Sequence, residues 1–404
     1  MRIAFLFNHD QIHQVAHSLP IAVAMAQAEI DADIIVATTN PRMSREVARL
    51  SQGAGGERLQ RVELGLESRR SRVLARAFEG LLPASKILVY GDNLDFFRSL
   101  DVLVVAEQTS LILKTHYGLK DLMIIYTGHG AGDRAIGFHS AIAGFDHVLV
   151  SGPKLWDRLV RDAGVDPRRL SVVGYPKFDL APSLASDPCG RPGRRPVVLY
   201  NPHVSPHLSS WYRHGRQVLD WFLEHDEYEL IFAPHVMLFE RPFVITIDRL
   251  RLDRAGVIDP RHLHAPNIHI DLGSRRSTTM DYTARADIYL GDASSQVYEF
   301  LLRPRPCVFL NSHRADWRND VNFAHWLNGP VIEEVEDLGE ALQRSVADHA
   351  TTYRPVQQAL FDLTFDLTEE PSARRAARAV AGCAGLAWPT HSIPALKEGA
   401  RALG

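Results

Sequence analysis

The apolar residues in the first half of the chain fall in short runs that alternate with segments of helical spacing. The runs have the length of buried strands, and SLPIAVAMAQAEI, after the first run, has the composition of a buried helix. Alternation of this kind predicts βαβ units and a mostly parallel sheet that is covered on both faces. The predicted strands span residues 2–8, 32–38, 87–91, 102–107, 123–128, 147–152 and 170–174.

The alternation restarts after residue 196. It follows APSLASDPCGRPGRRP (181–196), a stretch dense in Pro, Gly, Ser and Arg that is typical of a linker. The later part of the chain predicts helices at about residues 209–225, 277–285, 295–302 and 338–385. Its predicted strands span residues 197–201, 228–234, 268–271, 287–291 and 306–311.

We therefore predict an α/β protein with two Rossmann-type domains that face each other across a cleft. Open α/β sheets bind ligands beside the carboxyl ends of their strands, so functional residues are expected there. The predicted boundaries are residues 1–182 for an N-terminal domain, 183–196 for the linker, 197–370 for a C-terminal domain and 371–404 for a helical tail.

The composition of the chain argues against some classes of function. The 404 residues are 46% hydrophobic and 23% charged, as in ordinary globular proteins, and the net charge of −3 supplies no overall positive field for nucleic acid. Basic residues cluster locally instead, at 67–77, 190–196 and 249–254. Three widely spaced cysteines favour a reducing compartment, and no apolar run reaches the roughly 20 residues of a membrane span. We expect a cytoplasmic protein, for which peripheral contact with a membrane stays open.

The stretch GHGAGDRAIG (128–137) follows a predicted strand. Glycine costs roughly 0.5–1 kcal/mol against alanine in regular structure, so a glycine cluster favours a tight turn or close approach of the backbone to a ligand. His129, between Gly128 and Gly130, can exchange a proton near pH 7. The alternative is a glycine-rich turn that merely contains a histidine. The glycine spacing does not fit a dinucleotide-binding fingerprint.

A second candidate is GDASSQVYEF (291–300), where a strand ends and a helix begins. Ser294 and Ser295 at a helix start offer hydroxyl groups beside the unpaired backbone N–H groups, and the helix dipole attracts an anion. Capping of the helix alone explains these serines equally well. The segment lacks the Gly-Lys-Ser/Thr element of a Walker loop.

Histidines follow two further predicted strands. His235 comes after a strand and a proline in LIFAPH, and Asn201 and His203 come at the end of the strand in VVLYNPH. Each is a candidate ligand contact, and a purely structural histidine is the alternative. The i, i+4 spacing of His203 and His207 would suit zinc on a helix, but prolines interrupt this segment, so no metal site is predicted.

The order of these elements resembles the CDP-glycerol glycerophosphotransferase family, the teichoic-acid primases and polymerases. Members carry His-Gly-Thr-Pro-Leu-Lys, Gly-Tyr-Pro-Arg-x-Asp, Tyr-Ala-Pro-Thr and Asp-Tyr-Ser-Ser elements in this order. The present chain reads GHGAGDRAIG, VGYPKFD (173–179), LYNPH (199–203) and GDASSQVYEFLLRPRPCVFLN (291–311), with FAPH at the family's second histidine. The resemblance spans about residues 120–315.

The resemblance implies a GT-B-like fold and transfer of an alcohol phosphate from a CDP-activated donor to a hydroxyl acceptor, with release of CMP and without a cofactor. The acceptor is expected to be a glycan or lipid-linked glycan in envelope or capsule polysaccharide synthesis. His129 corresponds to the general base and His235 to the histidine on the donor phosphate. Ser294 and Ser295 correspond to the phosphate-binding pair, and Asp292, which precedes them, is placed in the same donor-phosphate site. Further candidate contacts to the donor or acceptor are Gly128, Gly130, Arg134, Asn201, His203 and Glu299.

Two alternatives stay open. A GT-B glycosyltransferase or a UDP-sugar 2-epimerase relative would share the two-domain architecture and bind a nucleotide diphosphate at the same helix start. In that case Glu299 would contact a ribose. The alternative outside the enzymes is a catalytically inactive, nucleotide-binding scaffold.

Overall fold

The computed structural model describes residues 1–8, 11–53, 55–78, 84–128, 130, 132–181, 193–240, 244–246 and 251–389. They form two compact units, each built on a parallel sheet as the alternation predicts. The N-terminal unit comprises Met1–Gly130, Phe138–Ala181 and Asp362–Gly404. The C-terminal unit comprises Ala131–Gly137 and Pro182–Phe361.

The N-terminal unit contains one sheet with helices between its strands. The strands are β1 (Arg2–Phe7), β2 (Asp33–Thr38), β3 (Gln60–Glu63), β4 (Val102–Val105), β5 (Met123–Tyr126), β6 (His147–Val150) and β7 (Leu170–Val172). The helices are α1 (Val15–Gln27), α2 (Pro41–Ser51), α3 (Arg69–Phe78), α4 (Ala84–Asp92), α5 (Leu94–Arg98), α6 (Ile112–Thr115) and α7 (Pro153–Ala163). The strand order is β3-β2-β1-β4-β5-β6-β7, and each neighbouring pair is parallel.

Both faces of this sheet are buried, which explains the nearly continuous apolar runs of its strands. Ile3, Phe5 and Phe7 of β1 belong to one core cluster that also contains residues of α1. Ala4 and Leu6, which point to the opposite face, belong to a second cluster.

The C-terminal unit repeats this construction. Its strands are β8 (Val197–Asn201), β9 (Glu229–Phe232), β10 (Val244–Thr246), β11 (Arg251–Asp253), β12 (Ile268–Ile270), β13 (Ile288–Gly291), β14 (Cys307–Leu310) and β15 (Val331–Ile332). Its helices are α8 (Trp211–Glu224), α9 (Pro260–Leu263), α10 (Asp281–Arg285), α11 (Gln296–Phe300), α12 (Leu338–Ala347) and α13 (Arg354–Thr364), the last of which ends in the N-terminal unit. The parallel sheet has the order β12-β9-β8-β13-β14-β15, while β10 and β11 form a separate antiparallel pair.

One local prediction was wrong, and the strands β3, β10, β11 and β15 were not predicted. The run 87–91 lies in α4 and not in a strand, because its apolar residues Val89 and Tyr90 pack one helical face into the core. The sequence also gave no indication of β3, whose residues QRVE are mostly exposed and carry no apolar run. A strand in this position is recognised by its pairing with β2 and not by its composition.

The predicted helical tail, residues 371–404, is part of a domain core where it is described. Helix α14 (Ser372–Cys383) contributes Ala373, Ala376 and Ala377 to the same cluster as α1. Residues 362–370 also belong to the N-terminal unit, so the predicted boundary at 370 lies too late. Most of the predicted linker, residues 183–192, lies outside the described residues. None of the described helices has the length and apolarity needed to cross a membrane.

Asp179, the acid that ends VGYPKFD, joins α14 to the rest of the N-terminal unit. Its carboxylate accepts the backbone N–H groups of Ser372 at 3.2 Å and Ala373 at 2.6 Å, at the start of α14. These are groups that a helix cannot satisfy internally. Burial raises the pKa of Asp179 to about 6, and the two N–H groups oppose this rise. The acid therefore caps a helix in this fold.

We expect Asp179→Ala to lower the free energy of unfolding by about 1–2 kcal/mol, because two helical N–H groups lose their acceptor. The pKa of about 6 in the folded state exceeds that of an unfolded aspartate, so the contribution of Asp179 to stability declines as the pH rises through this window. Urea unfolding should therefore separate the two proteins more widely near pH 5 than near pH 8. Asp157→Ala, which removes an exposed acid of α7, is the control. A wider separation near pH 8 would contradict the burial effect.

Candidate functional site

The carboxyl ends of β8 and β13 lie side by side in the C-terminal sheet, where Asn201 pairs with Gly291. Successive strands are added in opposite directions on either side of this pair, and open α/β sheets bind ligands at such a point. Asn201 ends β8, and His203 follows it. His235 follows β9, and Asp292 follows β13. The structure thus brings these sequence candidates to one edge of the sheet.

Asp292 is a buried acceptor that connects the loops at this edge. Its Oδ1 accepts the backbone N–H groups of His203 at 2.9 Å and Ala293 at 2.6 Å. Its Oδ2 accepts both the backbone N–H and the hydroxyl of Ser210, at 2.6 and 2.8 Å. The carbonyl of Asp292 accepts the indole N–H of Trp326 at 2.8 Å. The residue therefore holds the loops after β8 and β13 against each other.

This set of contacts differs from the phosphate contact predicted for Asp292. Burial raises the pKa of its carboxyl, while the surrounding N–H and O–H donors favour the ionised form. A carboxylate repels a phosphate, and both oxygens of this one already accept two protein donors. We assign Asp292 to the positioning of the loops and not to direct contact with an anion.

Ser294 is also tied into the protein. Its hydroxyl donates to Asn201 Oδ1 at 2.7 Å, and the side-chain amide of Asn201 donates to the carbonyl of Ala233 at 2.6 Å. Gly291 leaves room for the ring of Tyr289, to which a Cβ at position 291 would approach within 2.5 Å, and the Tyr289 hydroxyl also donates to Asn201 Oδ1 at 3.3 Å. Since the hydroxyl proton of Ser294 points at Asn201, it is not directed towards a ligand at the helix start.

Ser295 is the serine of the pair that faces outward. It occupies the N-cap position of α11, is exposed, and makes no side-chain capping bond within the described residues. Its Cβ lies close to Gly132, where an added Cβ would approach it to 3.2 Å. A small residue at 132 therefore lets the glycine-rich segment lie against the start of α11.

The segment 131–137 belongs to the C-terminal unit, although β5 and β6 on either side of it in the chain belong to the N-terminal sheet. Asp133 anchors the segment. Its buried carboxylate accepts the hydroxyl of Tyr298 at 2.7 Å and the backbone N–H of His325 at 3.0 Å. The ring Nδ1 of His325 lies 3.1 Å from the same oxygen, and its Nε2 lies 3.0 Å from the carbonyl of Asp292. His325 thus connects the segment to the loop after β13.

This anchoring brings Arg134 next to two histidines. Arg134 Nη1 lies 2.9 Å from His203 Nε2, and the rings of His203 and His235 are 5.8 Å apart. The backbone N–H of Ser205 points at His203 Nδ1 at 3.0 Å. A neutral imidazole carries one N–H, so one of these two contacts sets a donor against a donor. In this Arg134–His203–His235 cluster, His203 therefore faces one donor more than its neutral ring can accept, and an anion beside it would accept the surplus N–H.

The protonation of the cluster follows from burial and from Arg134. Burial, followed by the charge of Arg134, lowers the pKa of His203 well below its ordinary value. The same two causes lower the pKa of His235 to about 4. Both rings are therefore neutral near pH 7, and the guanidinium carries the positive charge. A bound phosphate would raise both pKa values, because its negative charge favours the protonated rings.

The remaining candidates from the sequence are His129, Gly128, Gly130 and Glu299. His129 lies outside the described residues. Gly128, two residues beyond β5 in the N-terminal unit, has a φ of +64°, a left-handed conformation that favours glycine, and Gly130 is exposed. Glu299 is half-buried in α11. Among the residues that the structure describes, no group of three or more His, Cys, Asp or Glu side chains is arranged to hold a metal ion.

Sequence reasoning missed two residues that hold the cluster in place. His325 lies in the apolar run VNFAHWLN, where a histidine signals a buried polar partner, and Tyr298 lies inside α11. Their common partner, Asp133, is 192 positions from His325 and 165 positions from Tyr298. A pairing over such a separation carries no local sequence signal.

No family model and no curated protein sequence matches the chain. Among solved structures, the wall teichoic acid polymerase TagF is similar, with a TM-score of 0.58 and 14% identity over 95% of this chain and 88% of that chain. A variant of TagF soaked with CDPG has a TM-score of 0.57 and 16% identity, over 95% and 87% of the two chains. A provisionally assigned UDP-N-acetylglucosamine 2-epimerase from Listeria monocytogenes has a TM-score of 0.55 and 11% identity, over 97% and 98%.

These similarities establish the fold. Two α/β units on parallel sheets are common to this chain and to its structural neighbours, which confirms the predicted α/β class and its GT-B-like character. The neighbours are enzymes. At identities of 11–16% the likeness extends to the fold alone.

Proposed function

We propose that this protein is a transferase that binds the phosphates of a nucleotide-activated donor at the Arg134–His203–His235 cluster. The surplus donor at His203 is the observation that carries the proposal, because a phosphate oxygen would accept from groups that now face each other. The exposed Ser295 at the start of α11 adds a hydroxyl beside Gly132. In its specific form, the proposal is transfer of a polyol phosphate from a CDP-alcohol to a hydroxyl acceptor of an envelope or capsule glycan.

The residues divide into groups that contact the donor and groups that support them. Arg134 neutralises nonbridging oxygens, while His203 and His235 donate neutral N–H groups. Such fixed donors stabilise charge that develops at phosphorus without a metal ion. Asp292 and Ser294 hold the loops after β8 and β13 in place, and neither residue contacts the phosphate. Glu299 remains a candidate contact for the ribose.

The proposed reaction is a substitution at the phosphorus that carries the polyol. The acceptor hydroxyl oxygen forms a new bond to this phosphorus, and the bond from phosphorus to the bridging oxygen breaks. The electron pair leaves with the bridging oxygen, which becomes part of the phosphate of CMP. His129, whose role rests on the resemblance of its motif, takes the proton of the acceptor hydroxyl.

A second candidate follows from the likeness to the epimerase structure. A GT-B glycosyltransferase would bind a UDP-sugar at the same cluster, transfer the sugar to an acceptor and release UDP, whereas a 2-epimerase would bind the same UDP-sugar and invert it at C2. The Arg134–His203–His235 cluster suits any diphosphate, so the nucleotide and the leaving group distinguish the two candidates. None of the three side chains of the cluster distinguishes one nucleobase from another.

The test offers CDP-glycerol, UDP-N-acetylglucosamine and a CMP-sugar side by side, with glycerol or water as the acceptor, and separates the released nucleotides by chromatography. Release of CMP from CDP-glycerol alone supports the proposal. Release of UDP or UMP, or conversion of UDP-N-acetylglucosamine to its C2 epimer, overturns it in favour of the second candidate. A thermal shift with CDP, without turnover of any donor, would show a nucleotide-binding scaffold.

Arg134→Gln should weaken the binding of CDP by about 30- to 160-fold, because a charge-assisted contact to phosphate contributes roughly 2–3 kcal/mol. Glutamine keeps a donor of similar length but lacks the charge. Isothermal titration calorimetry with CDP measures the effect. Arg285→Gln, on the exposed side of α10, is the matched control and should leave the affinity unchanged. Equal affinities of the Arg134 variant and the wild type would remove the cluster from the donor site.

A further inference from the structure

His325 is a buried histidine with an acceptor at each ring nitrogen. Its Nδ1 lies 3.1 Å from Asp133 Oδ2, and its Nε2 lies 3.0 Å from the carbonyl oxygen of Asp292. The exposed fractions are 3% for His325 and 2% for Asp133, so bulk water does not replace either contact. A neutral imidazole carries one N–H, and its other nitrogen would set a lone pair against an oxygen. His325 thus needs one more hydrogen than a neutral ring has, whereas His203 faces one donor too many.

Hydrogen-bond donors converge on the carboxylate of Asp133. Its Oδ2 accepts the hydroxyl of Tyr298 at 2.7 Å and the backbone N–H of His325 at 3.0 Å. Such donors favour the ionised carboxylate, and the ionised oxygen in turn favours an N–H at the ring nitrogen that faces it. The rings of Phe309 and Trp326 lie 5.8 and 6.0 Å from that of His325, and a charge-assisted bond is strong in such surroundings.

The other charged and titratable groups around this pair lie on three elements. Arg134 follows Asp133 in the same segment, Asp292 follows β13, and His203 lies after β8. Burial and the charge of Arg134, followed by the nearby histidines with His325 among them, lower the pKa of His203. The carboxylate of Asp292 accepts the backbone N–H of His203 at 2.9 Å. The ring of His325 therefore lies between the residue before Arg134 and the residue that holds His203.

We propose that His325 is doubly protonated and that in this form it joins Asp133 to Asp292, which positions Arg134 beside His203 for the donor phosphates. Loss of either ring proton opens one of the two bonds that make this connection. The affinity for the donor then declines as the pH rises. His325 acts here as a positioning residue, through its neighbours. Its protonation does not depend on the proposed function, whereas its effect on affinity rests on that function.

Nitrogen-15 NMR of the full chain, labelled at histidine, tests the protonation. The signals that disappear in His325→Gln belong to His325, and His325→Asn serves the same purpose if the glutamine variant does not fold. Both ring nitrogens should carry hydrogen near pH 6 without any nucleotide. A ring with one bare nitrogen would overturn the proposal, whatever the protein binds.

Calorimetric titration with CDP-glycerol near pH 6 and near pH 9 tests the positioning role, because the two phosphates of this probe do not titrate in this range. The ratio of the wild-type affinity to that of His325→Gln should fall about tenfold from the lower to the higher pH, since an amide does not titrate. His203 and His235 are present in both proteins, so their titration cancels in the ratio. His264→Gln, at an exposed position of the same unit, should bind as the wild type does at both pH values.

Tyr298→Phe distinguishes the proton from a general loosening of the segment. This variant removes another donor to Asp133 and leaves the ring of His325 in place, so it should weaken binding by the same factor at both pH values. A ratio for His325→Gln that is constant with pH overturns the positioning role. No binding of CDP-glycerol to the wild type at either pH overturns the donor site, and the positioning role with it, but not the protonation of His325. Circular dichroism establishes that each variant is folded.

Discussion

Replacement of His129 by alanine is expected to lower kcat for CMP release by about 10²–10⁴-fold, the usual contribution of a general base. The affinity for CDP should stay within about a factor of two of the wild type, because a base acts on the acceptor hydroxyl and not on the nucleotide. Initial rates of CMP release and calorimetric titration with CDP measure the two quantities separately. His116→Ala removes an exposed histidine of the same unit and is the matched control.

The predictions for His129→Ala and Arg134→Gln concern different measured quantities. Arg134 is expected to act on the affinity for the donor, whereas His129 is expected to act on turnover. The two residues lie five positions apart in the chain, and Asp133 between them is held by Tyr298 and His325. If His129→Ala changes the affinity and leaves the rate intact, the general-base assignment is wrong. If neither variant changes either quantity, the whole GHGAGDR segment has no part in the reaction.

Asp292→Asn should lower the free energy of unfolding by about 3 kcal/mol or more, a larger effect than that of Asp179→Ala. Each oxygen of Asp292 accepts two donors from His203, Ala293 and Ser210. An amide nitrogen in place of either oxygen sets a donor against two donors, and each buried polar group left without an acceptor costs about 1–3 kcal/mol. The substitution changes almost no volume, so lost packing does not explain the result.

Urea unfolding followed by tryptophan fluorescence measures this effect, since Trp326 donates to the carbonyl of Asp292. Asp316→Asn, at an exposed position of the same unit, should leave the unfolding midpoint unchanged. An Asp292 variant as stable as the wild type, but unable to bind CDP, would return Asp292 to the phosphate site predicted from the sequence motif.

The sequence was informative wherever a signal was local. The buried strands of both sheets were recognisable in the sequence as apolar runs, because a strand that is covered on both faces needs no polar residue. Two segments did not follow this correspondence between apolar runs and strands. Val89 and Tyr90 form part of a similar run but lie in a helix, and β3 is a strand without such a run. Short apolar runs fit a helix face and a buried strand equally well.

At the candidate site, too, some residues could be identified from a local sequence signal and others could not. His203 and His235 were identified because each follows a strand, and parallel strands bring their carboxyl ends to one edge. Ser294 and Ser295 were treated as an equivalent pair, yet the hydroxyl of Ser294 donates to Asn201 while Ser295 is exposed. Adjacent residues at a helix start point in different directions, and only the neighbouring elements decide which one meets solvent.

The order of apolar runs and the polar residues after them were enough to predict the α/β class, the two sheets and the histidines of the cluster, because these depend on periodicity along a single strand or helix. The assignment of 131–137 to the C-terminal unit, and of α14 to the N-terminal unit, needed the folded chain. Both depend on contacts between residues far apart in sequence, such as Asp133 with His325 and Asp179 with Ala373. Each such contact is specified by two distant positions together, and neither position alone carries the information.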